Sequence, residues 1–125
     1  MISRGWTVKR SNEVRFMFAE VKDTLPISGD DYDAQIIREI KACALDLTTS
    51  AEIILPGTIS ITRNAETGVI TDTSTLTDEL IITAISIWCN MRIGNPPNYD
   101  SLLKAYESLK GQLRLSKSYT GVVTV

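Results

Sequence analysis

The chain has 125 residues, of which 43% are hydrophobic and 22% are charged, and its formal net charge is −2. A chain of this length favours one domain that buries about two-thirds of its unfolded surface. The sequence contains neither the apolar core of a secretory signal nor a run near the roughly 20 apolar residues that span a bilayer, so we expect neither secretion nor membrane insertion.

Residue types needed for catalysis are scarce. The chain has no histidine, which removes the usual general base and triad and leaves a zinc site only cysteines and carboxylates as ligands. Neither common glycine-rich phosphate loop is present. Cys43 and Cys89 fall on separate predicted helices without CxxC spacing, which predicts buried, reduced thiols. We therefore expect no enzyme activity, no metal and no cofactor.

Charge is distributed in three blocks. Residues 1–22 and residues 81–125 each carry five basic and two acidic side chains, whereas residues 23–80 carry three basic and eleven acidic ones. Such blocks could steer head-to-tail contacts between copies, or each block could simply be a solvated face. Without a basic stripe interleaved with aromatic residues, sequence-specific DNA recognition is disfavoured.

Residues 11–24 are predicted to form the first helix, with Ser11 as its N-cap. One face of this helix carries the apolar side chains of Val14, Met17, Phe18 and Val21. Phe16 points away from that face, so it is either exposed or held by a partner. Pro26 ends the helix.

Residues 32–47 are predicted to form a second helix, with an apolar stripe about 120° wide. The stripe consists of Ile36, Ile37, Ile40, Cys43, Ala44 and Leu47. Three aspartates, Asp30, Asp31 and Asp33, cluster at its start, where carboxylates favour the helix dipole. Since the cluster lacks the spacing of a calcium loop, helix capping is the preferred interpretation.

After the second predicted helix the sequence becomes rich in residues that favour β-strands. Residues 51–55, 58–62 and 69–71 are predicted strands, and residues 64–68 are a predicted turn. This segment indicates a small β-hairpin or meander inserted between helices. Since a two-stranded piece is marginal alone, it must lean on the helices or on a neighbouring copy.

The third predicted helix begins near Thr77 and ends at Gly94. Residues 80–93 are apolar on most sides, with a narrow polar stripe of Glu79, Thr83, Ser86 and Asn90. Such a helix must be covered on most sides. A chain this short offers few elements for that cover, which makes neighbouring subunits a candidate.

A fourth helix is predicted from Tyr99 to about Ser116, with Asn98 as its cap. Its apolar stripe consists of Leu102, Ala105, Tyr106, Leu109 and Leu113. Residues 117–125 end in a β-prone run, which is either an extended strand that docks on a partner or a frayed end.

These elements predict a mainly α fold, a small bundle of about four helices with an inserted β-hairpin between helices 2 and 3. One domain spans residues 1–125. It comprises an N-terminal arm (1–10), helices 1 and 2 (11–47), the β-hairpin region (48–75), helices 3 and 4 (77–116) and a C-terminal tail (117–125).

Three stretches resemble the phage head-tail connector (adaptor) family. They are the aspartate-rich start of the second helix, DDYDAQIIREIKACALDL; the third helix with its glycine-proline break, TDTSTLTDELIITAISIWCNMRIGNPPNYD; and the closing segment, LLKAYESLKGQLRLSKSYTG. Together they cover most of residues 30–121, and their order and spacing carry the resemblance. The N-terminal ten residues depart from the pattern as an extra arm.

The resemblance implies a structural, non-enzymatic subunit of the virion, located at the head-tail junction and assembled in the host cytoplasm. It implies a ring of about twelve copies, in which one patch meets a different patch on the next copy. The implied partners are the portal protein, stopper or tail-completion proteins, and phage DNA passing non-specifically through the ring. No membrane is implied.

Residue roles follow only as expectations. Subunit contacts are assigned to Phe16, Trp88 and Met91, although Trp88 and Met91 could equally be internal. Portal docking is assigned to the tail residues Tyr119, Val122 and Val123, and the channel or next ring to the turn residues Arg63, Asn64 and Glu66. The alternative function is a small dimeric helical regulatory adaptor or DNA-binding protein, which stoichiometry would distinguish.

Overall fold

The computed structural model describes residues 16–94 and 96–120, which form helices around one short hairpin. The elements are α1 (Met17–Asp23), α2 (Asp33–Ser50), β1 (Ile61–Arg63), β2 (Ile70–Asp72), α3 (Glu79–Arg92), α4 (Tyr99–Leu115) and the short α5 (Lys117–Thr120). The strands pair antiparallel, with Ile61 opposite Asp72. The predicted fold class, a mainly helical bundle with a hairpin between its second and third helices, is confirmed.

The helices α1, α2, α3 and α4 alternate in direction along the chain. Asn90 near the end of α3 bonds Thr24 at the end of α1, so these two helices run the same way. Asp46 and Ser50 of α2 bond Tyr106 and Lys110 of α4 in matching order, so α2 and α4 run parallel to each other. Trp88 near the end of α3 bonds Glu39 in the first half of α2, so α2 runs antiparallel to α3. The hairpin, the starts of α1 and α3 and the ends of α2 and α4 therefore share one end of the bundle, here called the hairpin end.

Helix α3 lies at the centre of the bundle, and α1, α2 and α4 pack around it. Its buried residues are Ile81, Ile82, Ala84, Ile85, Ser86, Cys89 and Met91. Burying each large aliphatic side chain contributes about 1.5–3 kcal/mol. The inference that neighbouring subunits cover this helix is corrected, because most of its cover comes from the chain's own helices.

Most of the residues that were predicted to face the core are buried. Met17, Phe18 and Val21 of α1 are buried, as is the α2 stripe except for the half-buried Ala44. On α4, Tyr106 and Leu113 are buried, Leu102 and Leu109 are half-buried, and Ala105 is exposed against expectation. The predicted residues Ser11 and Val14 lie outside the described residues.

The strand predicted at residues 51–55 is wrong. Helix α2 continues to Ser50, and the Ile53 amide donates to the Leu47 carbonyl (3.1 Å), which closes the helix rather than starting a sheet. Glu52 has a φ of 57°, in the left-handed region. Ile53 is buried and Ile54 is exposed, which is the alternation typical of a strand. Here the alternation results from the turn that closes α2.

Side chains extend the short hairpin ladder on its open side. Beyond the paired strands, the Ser60 amide donates to Ser74 Oγ (2.9 Å) and the Thr58 amide donates to Thr75 Oγ1 (2.8 Å). Thr75 is thus engaged with Thr58 at the base of the hairpin. Asp78 itself is the N-cap of α3, accepting from the Ile81 amide (3.0 Å). Asn98 precedes α4 without a side-chain cap bond.

The tail begins with a helical turn. Residues 117–120 form α5, whereas residues 121–125, which make up most of the predicted β-prone run, lie outside the described part of the chain, so that prediction stays open. Tyr119 and Thr120 amides donate to the Ser116 carbonyl (both 3.1 Å), which folds the segment back at the hairpin end.

Asp72 links the hairpin to α1. Its carboxylate accepts from the Phe18 amide in the first turn of α1 (2.8 Å) and from the Ser74 amide (3.0 Å). We expect Asp72→Ala to lower the free energy of unfolding by about 1–2 kcal/mol, because a helix N-cap and a turn bond are lost together. Urea unfolding followed by circular dichroism measures this. Asp72→Asn keeps one of the two acceptor oxygens, so it should recover about half of the loss, and equal losses for Asp72→Ala and Asp72→Asn would contradict the capping role.

Candidate assembly surfaces

One buried cluster has the residue types of a reactive site. The Cys43 thiol donates to the Tyr106 hydroxyl (3.7 Å), which donates to Asp46 Oδ2 (2.5 Å). Lys110 Nζ also donates to Asp46 (3.2 Å). The described residues contain no group of three or more histidines, cysteines or acids that could hold a metal.

The raised pKa values of this cluster keep its thiols and its phenol protonated and therefore unreactive. Burial, with nearby carboxylates, raises the pKa of Cys43 to about 12, and burial likewise raises the pKa of Cys89. The pKa of Tyr106 is raised by burial, then by Cys43 and by its bond to Asp46. Because a thiolate is the nucleophilic form of cysteine, both thiols are inert at neutral pH. The predicted buried, free state of Cys43 and Cys89 is confirmed, and the cluster holds α2 against α4.

These raised pKa values predict a loss of stability at alkaline pH. The unfolded chain releases thiol protons near pH 9.0, where the folded chain keeps them until about pH 12. Above pH 9 the unfolded state therefore binds fewer protons, and stability falls as pH rises. We expect the urea midpoint to hold from pH 7 to about 8.5 and then to decline. A midpoint unchanged to pH 11, or thiols that react at once with Ellman's reagent in the folded protein at pH 8, would contradict this.

Trp88, an expected interface residue, is half-buried and engaged within the subunit. Its Nε1 donates to Glu39 Oε1 (3.0 Å), and its ring meets Tyr106 edge-on at a centroid distance of 5.3 Å. Arg92 lies over a face of the ring at 5.2 Å and pairs with Glu39 (3.4 Å). These contacts fix the ring from several sides, so only its outer part is available to a neighbour.

The structure separates the other expected interface residues. Met91 is 5% exposed and belongs to the subunit's core. Phe16 is 48% exposed and precedes α1 at the hairpin end, whereas Trp88 and Met91 lie in the last turns of α3 at the opposite end. The three residues therefore do not form one patch, and a subunit contact at Phe16 is spatially independent of one at Trp88.

The hairpin turn is exposed and firmly held. Asn64 Oδ1 accepts from the amides of Glu66 (2.8 Å) and Thr67 (3.0 Å), and the Asn64 carbonyl accepts from Gly68 (2.7 Å). Gly68 has a φ of 77°, which suits glycine. Asn64 is thus occupied in building the turn, while the exposed side chains of Arg63 and Glu66 are presented outward. The turn predicted at residues 64–68 is confirmed.

Tyr119, expected to dock on the portal, is half-buried against the bundle. Its hydroxyl donates to Asp78 Oδ2 (2.8 Å), and its carbonyl accepts from the Ile54 amide (2.6 Å). The bond to Asp78 raises the pKa of Tyr119. The residue therefore positions the base of the tail, while Val122 and Val123 lie outside the described residues.

Sequence reasoning missed a concentration of exposed apolar side chains towards the hairpin end. Six of the nine large exposed apolar side chains of the described residues belong to this half: Phe16, Leu45, Ile54, Val69, Leu80 and Leu115. Each lies alone on a different element, so no local pattern brings them together. Each of them is a candidate contact point for another protein.

The described residues form a small helical bundle with two buried thiols and several exposed apolar side chains. A family model described as phage connector protein matches residues 17–120, from the first residue of α1 to the last of α5. The chain belongs to the phage connector protein family. No curated protein and no solved structure matches it.

Membership gives the chain a structural role as a phage connector, associated with other head and tail proteins of the virion. The family is structural rather than enzymatic. None of the helices in residues 16–94 and 96–120 is long and apolar enough to cross a bilayer.

Proposed function

We propose that the protein is a head-tail connector subunit that forms a ring of about twelve copies between the portal and the stopper or tail-completion proteins, with DNA passing through its centre. The observation that carries this proposal is the family match, which spans every helix and strand of the described fold. A ring requires two different patches on each copy, and the apolar hairpin end and the outer rim of Trp88 are separate surfaces that meet this requirement.

The charge of the chain is compatible with a conduit. With a net charge of −2 and its basic residues dispersed, the protein gains little from releasing counterions of DNA. DNA would therefore slide rather than bind. We assign the turn residues Arg63 and Glu66 to the channel or to the next ring, because they project from a rigid turn with opposite charges.

The tail is assigned to the portal. The bonds of Tyr119 to Asp78 and Ile54 fix α5 at the hairpin end, so Thr120, the residue before the tail residues 121–125, has a defined position there. Extended β-prone segments such as GVVTV bind by adding a strand to a partner.

Electron microscopy of the protein co-expressed with its portal tests the proposal. We expect an added ring of about twelve-fold symmetry on one face of the portal. Removing residues 121–125 should reduce occupancy of that ring at least ten-fold, while Lys41→Ala, at an exposed lysine of α2 to which no contact is assigned, should leave it unchanged. A bare portal with the full chain would contradict the connector assignment, and full occupancy without the tail would contradict the tail's role.

A further inference from the structure

The side of α3 between α1 and α4 carries a groove of about 490 Å³. Its floor includes the apolar side chains of Ile82, Ile87 and Leu102, and its walls carry the carboxylates of Asp23 and Glu79. No lysine or arginine of the described residues lines it. We call this feature the acidic groove. A surface with an apolar floor and negative walls suits a partner that presents an apolar side chain and a cation.

Asp23 supplies this groove with a carboxylate that folding does not use. It is the last residue of α1, where the helix dipole disfavours a negative charge. It is exposed, and it forms no ion pair with another described residue. Glu20 also lines the groove but already takes part in another interaction. Asp23 is therefore the carboxylate that is available to a cation of a partner.

Helix α2 packs on the side of α3 opposite the acidic groove. Ser86 and Asn90 of α3 line the groove. Trp88 and Arg92 each lie two positions further along α3, and both contact Glu39 of α2. Two positions along a helix correspond to about 160° around its axis, so the groove and α2 lie on opposite sides of α3. The α2 of a chain therefore cannot enter the groove of the same chain, whereas the α2 of another copy can.

The outward side of α2 has a composition that complements the groove. Arg38, Ala42, Leu45 and Thr49 fall within about 60° of one another around the helix, on the side away from the core, and are here called the α2 ridge. Leu45 is 63% exposed, and the exposed Arg38 forms no ion pair with another described residue. The acidic residues of α2 instead bond other helices of the same chain: Asp33, Glu39 and Asp46. The ridge thus offers one large apolar side chain and one cation without a carboxylate.

The apolar parts of the ridge and of the groove lie at the same height along the bundle. The Trp88 Nε1 donates to Glu39 Oε1, which places these two residues at about the same height on α3 and α2. The two helices are antiparallel and have the same rise per residue. Leu45 lies as far beyond Glu39 as Ile82 lies before Trp88, so Leu45 is at about the height of the groove floor.

The charged parts also lie at matching heights. By the same register, Arg38 is within about one helical turn of the height of Asn90. The Asn90 side-chain amide donates to Thr24 Oγ1 (3.2 Å), and Thr24 directly follows Asp23 at the end of α1. Arg38 and Asp23 therefore lie at about the same height on opposite sides of the bundle.

A closed ring requires this kind of arrangement. Neighbouring copies in a ring are related by a rotation without a rise, so contacting residues lie at equal heights when the bundle is parallel to the ring axis. Twelve copies turn by about 30° each, so the two contacting patches lie on nearly opposite sides of a subunit. We propose that the α2 ridge of each subunit occupies the acidic groove of the next, with Leu45 on the apolar floor and Arg38 beside Asp23. This inference rests on the proposed ring.

Disulfide trapping tests this contact. The variant Leu45→Cys/Thr83→Cys has one cysteine on the ridge and one at an exposed residue of the groove. Native Cys43 and Cys89 are buried. After assembly on the portal, oxidised glutathione should link the copies head to tail, which gives a ladder of species beyond two copies on a non-reducing gel. The matched control Leu45→Cys/Thr71→Cys, with its second cysteine exposed on the hairpin, should remain unlinked.

The outcomes separate this contact from the proposed function. A ring without the ladder, a ladder that stops at two copies, or equal linkage in the Thr71→Cys control would overturn the contact and leave the ring standing. The groove would then belong to another occupant. Absence of any ring on the portal with the unmodified chain would overturn the proposed function and this inference with it.

Charge exchange supplies an independent readout. Arg38→Asp should raise the protein concentration for half-assembly, measured by light scattering with the portal, at least ten-fold, because it places two carboxylates together. It should leave the thermal midpoint unchanged, and Asp23→Arg should restore assembly in that background. Lys104→Asp makes the same charge change at an exposed lysine on the outer side of α4 and should change neither quantity. Unimpaired assembly of Arg38→Asp, or no recovery on adding Asp23→Arg, would contradict the contact.

Discussion

Lys22→Ala is expected to lower the free energy of unfolding by about 3 kcal/mol, because it leaves a buried carboxylate without its partner. Lys22 Nζ lies 2.7 Å from Asp33 Oδ1, and the two side chains are only 17% and 5% exposed. Asp30 contacts the same ammonium at 3.4 Å but is solvated and adds little. Urea unfolding measured by circular dichroism gives the value.

A double-mutant cycle makes this expectation specific. Removing both partners in Lys22→Ala/Asp33→Ala should cost clearly less than the sum of the single changes, since no buried charge then remains. Lys41→Ala, an exposed lysine on α2, should change stability by no more than about 0.5 kcal/mol. A loss below about 1 kcal/mol for Lys22→Ala would contradict a buried pair.

Tyr106→Ala is expected to cost about 3–5 kcal/mol, the range for removing a large buried aromatic side chain. Tyr106 is 1% exposed, packs on Trp88 and joins α4 to α2 through Asp46. Tyr106→Phe keeps the ring and loses only the hydroxyl, so about 1–2 kcal/mol should separate it from the wild type. The same unfolding measurement applies.

The control for this pair is Tyr99→Ala, at the start of α4, where the ring is 42% exposed. It should cost less than about 1 kcal/mol. Equal losses for Tyr106→Phe and Tyr106→Ala would show that the hydroxyl alone carries the contribution, against the packing argued here.

Sequence periodicity predicted the helices well because their apolar stripes are local. The stripe of α2, from Ile36 to Leu47, faces the core as expected, and the proline and glycine signals ended α1 and α3 close to the predicted residues. The central position of α3 also follows from its nearly uniform apolar surface. Periodicity did not show that α1, α2 and α4 of the same chain would cover most of α3.

Contacts between distant residues could not be predicted in this way. Asp33 was interpreted as a helix-capping charge, whereas it is buried against Lys22; Asp72 caps α1 across 54 positions of sequence. Both contacts depend on residues that are distant in the sequence, and the position of one aspartate in the sequence does not predict such a partner. The exposed apolar side chains of the hairpin end were missed for the same reason, since each lies on a separate element.

The assembly surfaces were predicted only in part. The turn at Asn64 was found from residue types that favour turns, and its rigidity follows from bonds within five residues. Met91 was expected at an interface because methionine is common there, but its position on the inward side of α3 buries it. Ser86 belonged to a predicted polar stripe, and only the structure shows that this residue is buried.

Light scattering over a range of protein concentrations, first alone and then with the portal, tests the connector account most directly. We expect a mass of about twelve subunits of 13.8 kDa, either alone or only after the portal is added, and the second result would show that the portal templates the ring. A stable dimer whose mass does not respond to the portal would contradict the account and favour the regulatory adaptor.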